Sequence, residues 1–495
     1  MLPYVHSIYY KLYLWRKRAH LKNKSAIFWQ RIGQKNALHI FHQAARRVPA
    51  YSKFLRDHEI NPSLIRTIKD FVKVPSTSKE NYINKYSFSE LCWDGKVDGG
   101  LSIAQSSGTS GTPLMWARSY RNEVEAAIIQ QIIFEDSFRI QRVPVLFVVC
   151  FHLGSHIAGM ITVDAIKRML EHGVLGALIT PGLNQEDVLQ LIGKLWPYYQ
   201  QIVLIGYPPF IKDIIDAGKE RGLVWQEKTV NLIVSGEAIS ESWRERVAKT
   251  LHQPPYRIIN LYGSADIGLM GFETVDTLAV RRLATTDKNI LTLFGSDSEY
   301  IPPIYQFDPS SRYFEESNSE LLCTVDNALP LVRYNLHDMG RVVWGTTIAA
   351  ANPKMQTNSL QSQLPFISIL GRSNYMVTFY ALNIYPEHIR EILNQPDVST
   401  KVSGRFFLKV VYNNEQNQNL EIFIEAAPHI EPSESWAQSV RQDIVHGLCA
   451  LNREYKKLYG ALGERVQPII KGSLYGSEVF RANKTKYKYI AYEKK

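Results

Sequence analysis

The sequence predicts an α/β protein in two parts. A large N-terminal domain over residues 1–370 has mainly parallel sheets with flanking helices, and a small, mobile α+β lid domain spans 371–495. Three observations lead there. A chain of 495 residues exceeds what one core holds, since single cores stop growing near roughly 250–300 residues. From Val143 onward, apolar runs that end in glycine alternate with stretches of helical spacing, the pattern of βαβ units. From Gly371 the character changes to alternating strands around a polar turn, followed by a long helical pattern.

Taken in order, residues 1–100 form a helical N-terminal segment, with a helix over Asn36–Asp57 and a loop over Val74–Asn81 leading into another helix. Val143–Phe151 reads as a buried strand, Ile161–His172 as a helix and Ile202–Gly206 as a strand. A helix over Phe210–Arg221, a strand over Val230–Gly236, a helix over Glu241–His252 and a strand over Arg257–Gly263 follow. In such sheets ligands bind beyond the carboxyl ends of the strands, which puts the turns after Gly206, Gly236 and Gly263 on one rim. Asn352–Gln363 is polar and without period, a surface loop. Phe406–Tyr412 and Leu420–Ala426 pair around the turn Asn413–Asn419, and a long helix covers Ser435–Leu458.

Composition narrows the function classes. Hydrophobic residues at 45% and charged residues at 21% are ordinary for a soluble protein. No apolar run reaches the roughly 18–20 residues that span a bilayer. Met1–Ser25 is basic and aromatic and lacks the apolar core of a secretory signal, so a cytoplasmic protein is expected. Cys92, Cys150, Cys323 and Cys449 lie far apart without a CxxC pair, and read as buried free thiols. The net charge of +10 is concentrated in Tyr10–Lys24 and Lys484–Lys495. No nucleic-acid motif accompanies it, so nucleic acid is not an expected partner. Solvated termini, or weak contact of the first helix with a membrane surface, account for the charge.

The strongest local signal is Ser106-Ser107-Gly108-Thr109-Ser110-Gly111-Thr112-Pro113. Small residues let a loop wrap phosphates with backbone N–H groups and hydroxyls; a flexible Gly/Ser turn is the plainer alternative. The run is neither a Walker loop nor GxGxxG. His152 and His156 form HxxxH without the metalloprotease glutamate, and read as packed or capping histidines.

The run Ser106–Pro113 resembles the phosphate loop of the acyl-adenylate-forming (AMP-binding) superfamily, in particular phenylacetate–CoA ligases and the ligase-like proteins of capsular polysaccharide biosynthesis. Further segments resemble that family in order along nearly the whole chain. Ala44–Lys79 is similar to its N-terminal segment, Ser235-Gly236-Glu237-Ala238 to its adenine-binding turn, and Tyr262-Gly263-Ser264-Ala265-Asp266 to its aromatic-Gly motif. Arg333–Gly340 resembles the ribose-binding Asp motif, Gly371–Ser373 with Asn383–Pro386 the interdomain hinge, and Asn483–Tyr487 the catalytic-lysine segment.

The resemblance implies an ATP-dependent ligase that activates an aromatic or apolar carboxylic acid as acyl-AMP, releases pyrophosphate, and transfers the acyl group to an acceptor, by default CoA. It implies ATP and Mg²⁺ as cofactors. Ser106, Ser107, Gly108, Thr109, Ser110, Gly111 and Thr112 would hold phosphates. Gly236, Glu237, Ala238, Tyr262, Gly263 and Ser264 would hold adenine, and Asp338 with Arg372 the ribose side. Asp266 would be the catalytic acidic residue that binds magnesium, and Lys484 the catalytic lysine, with Lys486 and Lys488 close by. Phe151, His152, Gly206, Tyr207 and Pro208 would line the acyl site.

The chain also departs from the family. Thr112 stands where many relatives have lysine, Ala265 where a hydroxyl is usual, and Asp266 where glutamate is usual. Asn374-Tyr375 replaces paired aspartates at the hinge, and Ala381 replaces a glycine on the thiol cofactor's path. These changes keep two alternatives open: an amine, hydroxyl or carrier-protein thiol as acceptor, or a catalytically weakened nucleotide-binding protein of a biosynthetic complex.

Overall fold

The computed structural model describes residues 2–105, 114–296, 300–352, 360–372, 377–379, 382–412 and 418–481. Strands β1 (Ser102–Gln105) and β2 (Met115–Arg118) form an antiparallel ribbon. The main sheet has eleven strands. They are β3 (Val145–Cys150), β4 (Gly176–Ile179), β5 (Gln201–Gly206), β6 (Thr229–Ser235), β7 (Ile258–Ser264), β8 (Gly268–Phe272), β9 (Ile304–Gln306), β10 (Arg312–Ser317), β11 (Glu320–Val325), β12 (Leu331–Val343) and β13 (Phe366–Arg372). Their order across the sheet is β10-β11-β12-β13-β9-β8-β7-β6-β5-β3-β4.

Every residue of β3 and β5 is buried, because helices cover both faces of this half of the sheet. The alternation is visible within β3. Val145, Phe147 and Val149 pack with the helices Tyr120–Phe138 and Ile157–Glu171. Leu146, Val148 and Cys150 pack on the other side with Gln185–Leu195, Pro208–Glu220 and Glu241–Leu251. The parallel arrangement expected from the sequence holds for β4, β3, β5, β6 and β7. From β7 to β10 each neighbouring pair is antiparallel instead. The connection from β7 to β8, Ala265–Ile267, is too short for a crossover and fixes that reversal.

Three expected elements are corrected. The helix at Asn36–Asp57 is two helices, Ala26–Arg47 and Pro49–Asp57. Pro49 supplies no N–H and holds Val48 extended at φ −105° and ψ 108°, which breaks the helix. The helix at Ser435–Leu458 divides into Glu434–Leu451 and Arg453–Leu462, because extended Asn452 accepts from the Tyr455 N–H and caps the second helix. The segment after Asn81 holds only a 3₁₀ turn, Ile83–Lys85. Much of the expected surface loop at 352–363, and most of the turn at 413–419, lies outside the described residues.

The C-terminal part holds β14 (Val377–Phe379), β15 (Leu382–Ile384), β16 (Val402–Tyr412), β17 (Gln418–Ala426) and β18 (Ile469–Ser473). Strands β16 and β17 pair antiparallel as expected, and β18 adds in parallel to β17. These strands and the helices Pro386–Leu393 and Glu434–Leu451 share a core of their own, with Phe406, Leu408, Ile422 and Ile444 inside. Contacts with the large part include Arg405–Asp213 at 2.6 Å, and His388, whose ring meets Tyr300 edge-on at 5.4 Å.

His388 makes this junction pH-sensitive. Burial pushes its imidazole down to about 4. A base whose folded value is depressed adds stability above the unfolded value near 6.5, and that stability is lost as pH falls from 6.5 toward 4. The loss amounts to roughly 3 kcal/mol once His388 is protonated. Melting curves at pH 7.5 and pH 5 are expected to diverge less for His388→Phe than for the wild type.

The described cysteines are free, and burial raises the thiol of Cys92 to about 11 and that of Cys323 to about 12. Among the described residues no helix is long and apolar enough to cross a membrane.

Candidate active site

The rim where β3, β5, β6 and β7 end carries most of the expected residues. On β7 the Tyr262 ring stacks on Tyr305, with centroids 5.5 Å apart, and its hydroxyl donates to Asp338 Oδ2 at 2.5 Å. Asp338 lies on β12 and is buried. The antiparallel register sets it opposite Arg372 of β13, of which only the backbone is described. Two motifs far apart in sequence therefore meet in one hydrogen bond.

The turn after β6 is tied to the same place. Tyr305 donates to Asn260 Oδ1 at 3.1 Å, and Asn260 Nδ2 donates to the Glu237 carbonyl at 2.9 Å. Gly236 has φ +91°, and a Cβ there would come within 2.9 Å of the Tyr207 ring, so glycine is required on both counts. Ala238 continues this turn toward the helix Glu241–Leu251. Ser264 accepts from the Ile267 N–H at 3.1 Å and holds the short β7–β8 turn that contains Gly263 and Asp266.

Behind the rim is a buried ionic cluster. Glu273 accepts from Arg244 at 2.5 Å and from Arg281 at 3.0 Å, and its other oxygen accepts from the Asn260 N–H at 2.7 Å. All three charged side chains are almost wholly buried, and Glu241 closes the cluster against both arginines. The backbone from which Tyr262 and Glu237 are positioned is thereby pinned.

Asp266, the expected magnesium ligand, lies in the turn between β7 and β8. It is buried, accepts from the Tyr334 hydroxyl at 2.7 Å, and pairs with Lys79 at 3.2 Å, all through Oδ2. Lys79 comes from the segment 74–81, which is fastened to β12 through Thr77 N–H to Arg333 O and Asn335 N–H to Thr77 O. No group of three or more His, Cys, Asp or Glu that could hold a metal occurs among the described residues. Magnesium is usually held by one or two carboxylates plus phosphate oxygens. Both contacts go through Oδ2, so Asp266 is a single carboxylate that would hold magnesium only together with phosphate oxygens. Lys79 ends the segment that resembles the family's N-terminal part, and its pairing with Asp266 arises only in the fold.

A cavity of about 120 Å³ opens at the rim. Phe151 and Tyr207 line it, with rings 4.9 Å apart at 74°, and burial beside Glu237 raises the Tyr207 phenol to about 12. Gln130, His156, Ile161, Thr162 and Leu269, which the sequence reading did not select, line it as well. Gly206, His152 and Pro208 do not. A Cβ on Gly206 would meet the Cys150 carbonyl at 2.7 Å, so that glycine serves the close approach of β5 to β3. Pro208 starts the helix Pro208–Glu220, and the His152 ring lies 4.9 Å from that of His156, tilted by 36°. The loop Ser106, Ser107, Gly108, Thr109, Ser110, Gly111 and Thr112, together with Lys484, Lys486 and Lys488, lies outside the described residues.

No protein-family model matches the chain. In sequence it is 19% identical over 413 residues to the phenylacetate–coenzyme A ligase of Aromatoleum evansii, covering 81% of this chain and 84% of that one. It is 23% identical over 363 residues to the phenylacetate–coenzyme A ligase of Escherichia coli (strain K12), covering 70% and 72%. Its fold matches that of 2-hydroxyisobutyryl-CoA ligase in the postadenylation state with an acyl-AMP adduct. The TM-score is 0.67 at 14% identity, over 94% of this chain and 93% of that one. The same ligase in the thioesterification state, with 2-HIB-AMP and CoA, matches with a TM-score of 0.54.

Fold and sequence likeness together define the class: an adenylate-forming ligase. Within that class the chain is phenylacetate–CoA ligase-like.

Proposed function

We propose that this protein activates a carboxylic acid with an aromatic or apolar body as its acyl-AMP, releasing pyrophosphate from ATP, and then transfers the acyl group to CoA. The observation that carries the reading is the meeting of Tyr262, Asp338 and the Glu237 turn at one rim, directly beside a cavity lined by Phe151 and Tyr207. Tyr262, backed by Tyr305, offers a flat face to adenine. Asp338 accepts hydrogen bonds from the ribose hydroxyls in place of the one from Tyr262. The acid's body lies in the apolar cavity, which excludes water from the mixed anhydride that forms. Attack of a carboxylate on the α-phosphate gathers negative charge, which a positioned ammonium relieves; the resemblance gives that part to Lys484. No step is assigned to magnesium.

CoA as acceptor is supported by relatives that are coenzyme A ligases. The departures at Asn374, Tyr375 and Ala381 favour a second reading, with an amine, a hydroxyl or a carrier-protein thiol as acceptor. Incubation with ATP, CoA and a panel of aromatic and aliphatic acids, read by mass spectrometry, separates these. Acyl-CoA is the expected product. Pyrophosphate formed without CoA consumption points to the other acceptors, and ATP binding with no product points to the weakened nucleotide-binding protein.

One feature supports a location at an anionic membrane surface. The helix Leu2–Asn23 contains no Asp or Glu and buries one face through Tyr10, Lys17 and Leu21. Lys17 pairs with Asp308, and Arg18 with Glu135. Its opposite face leaves Ile8, Leu12 and Trp15 exposed at 65, 56 and 69%, a helical i, i+4, i+7 stripe between exposed Lys11 and Arg16. Apolar anchors flanked by cations suit the headgroup boundary of anionic lipid. The full chain is expected to float with phosphatidylserine-containing vesicles at low salt, and a Leu12→Ser/Trp15→Ser variant to stay behind. If both stay behind, the helix has no such role.

A further inference from the structure

We infer that the acid this site accepts carries a neutral hydrogen-bonding group, a hydroxyl, on its acyl body, read by Gln130 and Thr162. The inference rests on the proposed acid activation and names the class of acid. Gln130 lies in the helix Tyr120–Phe138 and Thr162 in the helix Ile157–Glu171, so two separate elements bring them to one cavity. They are 4% and 7% exposed. Neither side chain has a hydrogen-bond partner among the described residues.

The next residue along the helix shows what a satisfied glutamine looks like here. Gln131 accepts from the Tyr10 hydroxyl at 2.9 Å and donates to Glu135 at 2.7 Å. Gln130, turned about 100° away by the helical repeat, faces the cavity instead. Buried polar groups are nearly always paired, and those left open face a ligand or water. A carboxamide and a hydroxyl each both donate and accept, which suits a group that does the same.

Charge and size narrow the class. Among the described residues lining the cavity none is Asp or Glu, so nothing there would neutralise an ammonium, and the imidazole of His156 is the one side chain that could face a second carboxylate. Ile157, Ile161 and Leu269 give the wall apolar surface, and Gln105, Ser235 and Ser264 are further polar residues of the lining. A volume of about 120 Å³ is somewhat below the roughly 150 Å³ cavity that holds benzene in an engineered core, so the body is no larger than a single ring. A site built to bond a hydroxyl rejects the analogue that lacks it, because its own polar groups are then left unpaired.

The test uses the full chain and phenylacetate against its three ring-hydroxylated isomers, with AMP present and binding measured by calorimetry. At least one hydroxylated isomer is expected to bind the wild type about tenfold or more tighter than phenylacetate. In Gln130→Leu that ratio falls to below about threefold, and phenylacetate itself binds more tightly than to the wild type. Thr162→Val, closer to its parent in shape, carries the same test if Gln130→Leu does not fold. Equal binding of all four acids to the wild type, as when water alone satisfies both groups, overturns the inference. So does a preference that survives both substitutions. The same acids are then assayed with ATP for pyrophosphate. Preference in binding without pyrophosphate release sinks the ligase reading and leaves this inference standing. Equal pyrophosphate release from phenylacetate and every isomer does the reverse.

Discussion

Asp338→Ala lowers kcat/KM for ATP by about 100-fold or more, mainly through KM, while thermal stability changes little by comparison. The expectation follows from the geometry at β12. Asp338 is buried at the rim, and the described bond from Tyr262 ends on a single oxygen, Oδ2. Bound nucleotide offers two ribose hydroxyls to that carboxylate. Hydrogen bonds to a charged acceptor contribute roughly 1.5–3 kcal/mol each, and two of them give the predicted range. Asp338→Asn keeps one acceptor and falls between alanine and wild type. Tyr262→Phe removes the hydroxyl that competes with ribose but keeps the ring on Tyr305, and is expected to change KM by only a few-fold. A wild-type KM for ATP in Asp338→Ala removes ribose binding from this residue.

Glu273→Gln is expected to destabilise the protein by about 3–5 kcal/mol. Glu273 is the fully buried one of the two carboxylates that Arg244 and Arg281 share, the other being Glu241. Removing its charge leaves two guanidinium groups facing each other, with only the partly exposed Glu241 between them. The same substitution weakens the acceptor for the Asn260 N–H, and Asn260 holds the Glu237 turn. The melting temperature is therefore expected to fall by several degrees, and ATP binding to weaken even below the transition. A variant with unchanged melting and unchanged ATP binding would show that the cluster neither stabilises nor positions the rim.

What was legible in the sequence was what depends on local pattern. β3, β5, β6 and β7 are apolar runs, the last three ended by glycine or serine, and their limits fall within a residue or two of the expected ones. Tyr262 and Asp338 were singled out by motif, and the fold joins them. The antiparallel half of the sheet was not legible. β9 has three residues, and β12 is paired through bulges, so neither gives a clean period. The break at Pro49 was written in the sequence, but apolar spacing runs on across it and hid the boundary. Asn452 was likewise a visible N-cap residue inside a continuous helical pattern.

The site shows the same division. The pair Lys79–Asp266 joins a loop near one end of the chain to a turn in its middle, and only the docking of Thr77 on β12 brings them together. Gln130 and Thr162 look in sequence like any polar residue of an amphipathic helix. Their meaning comes from burial without a partner, which is a property of packing.

The most direct test of the central claim is acid-dependent exchange of labelled pyrophosphate into ATP, which needs the adenylation half-reaction and no acceptor. The account predicts exchange that requires an added acid, saturates with it, and drops by about 100-fold in Asp338→Ala. Nucleotide bound at the Tyr262–Asp338 rim with no exchange above background for any aromatic or apolar acid, hydroxylated or not, would contradict it.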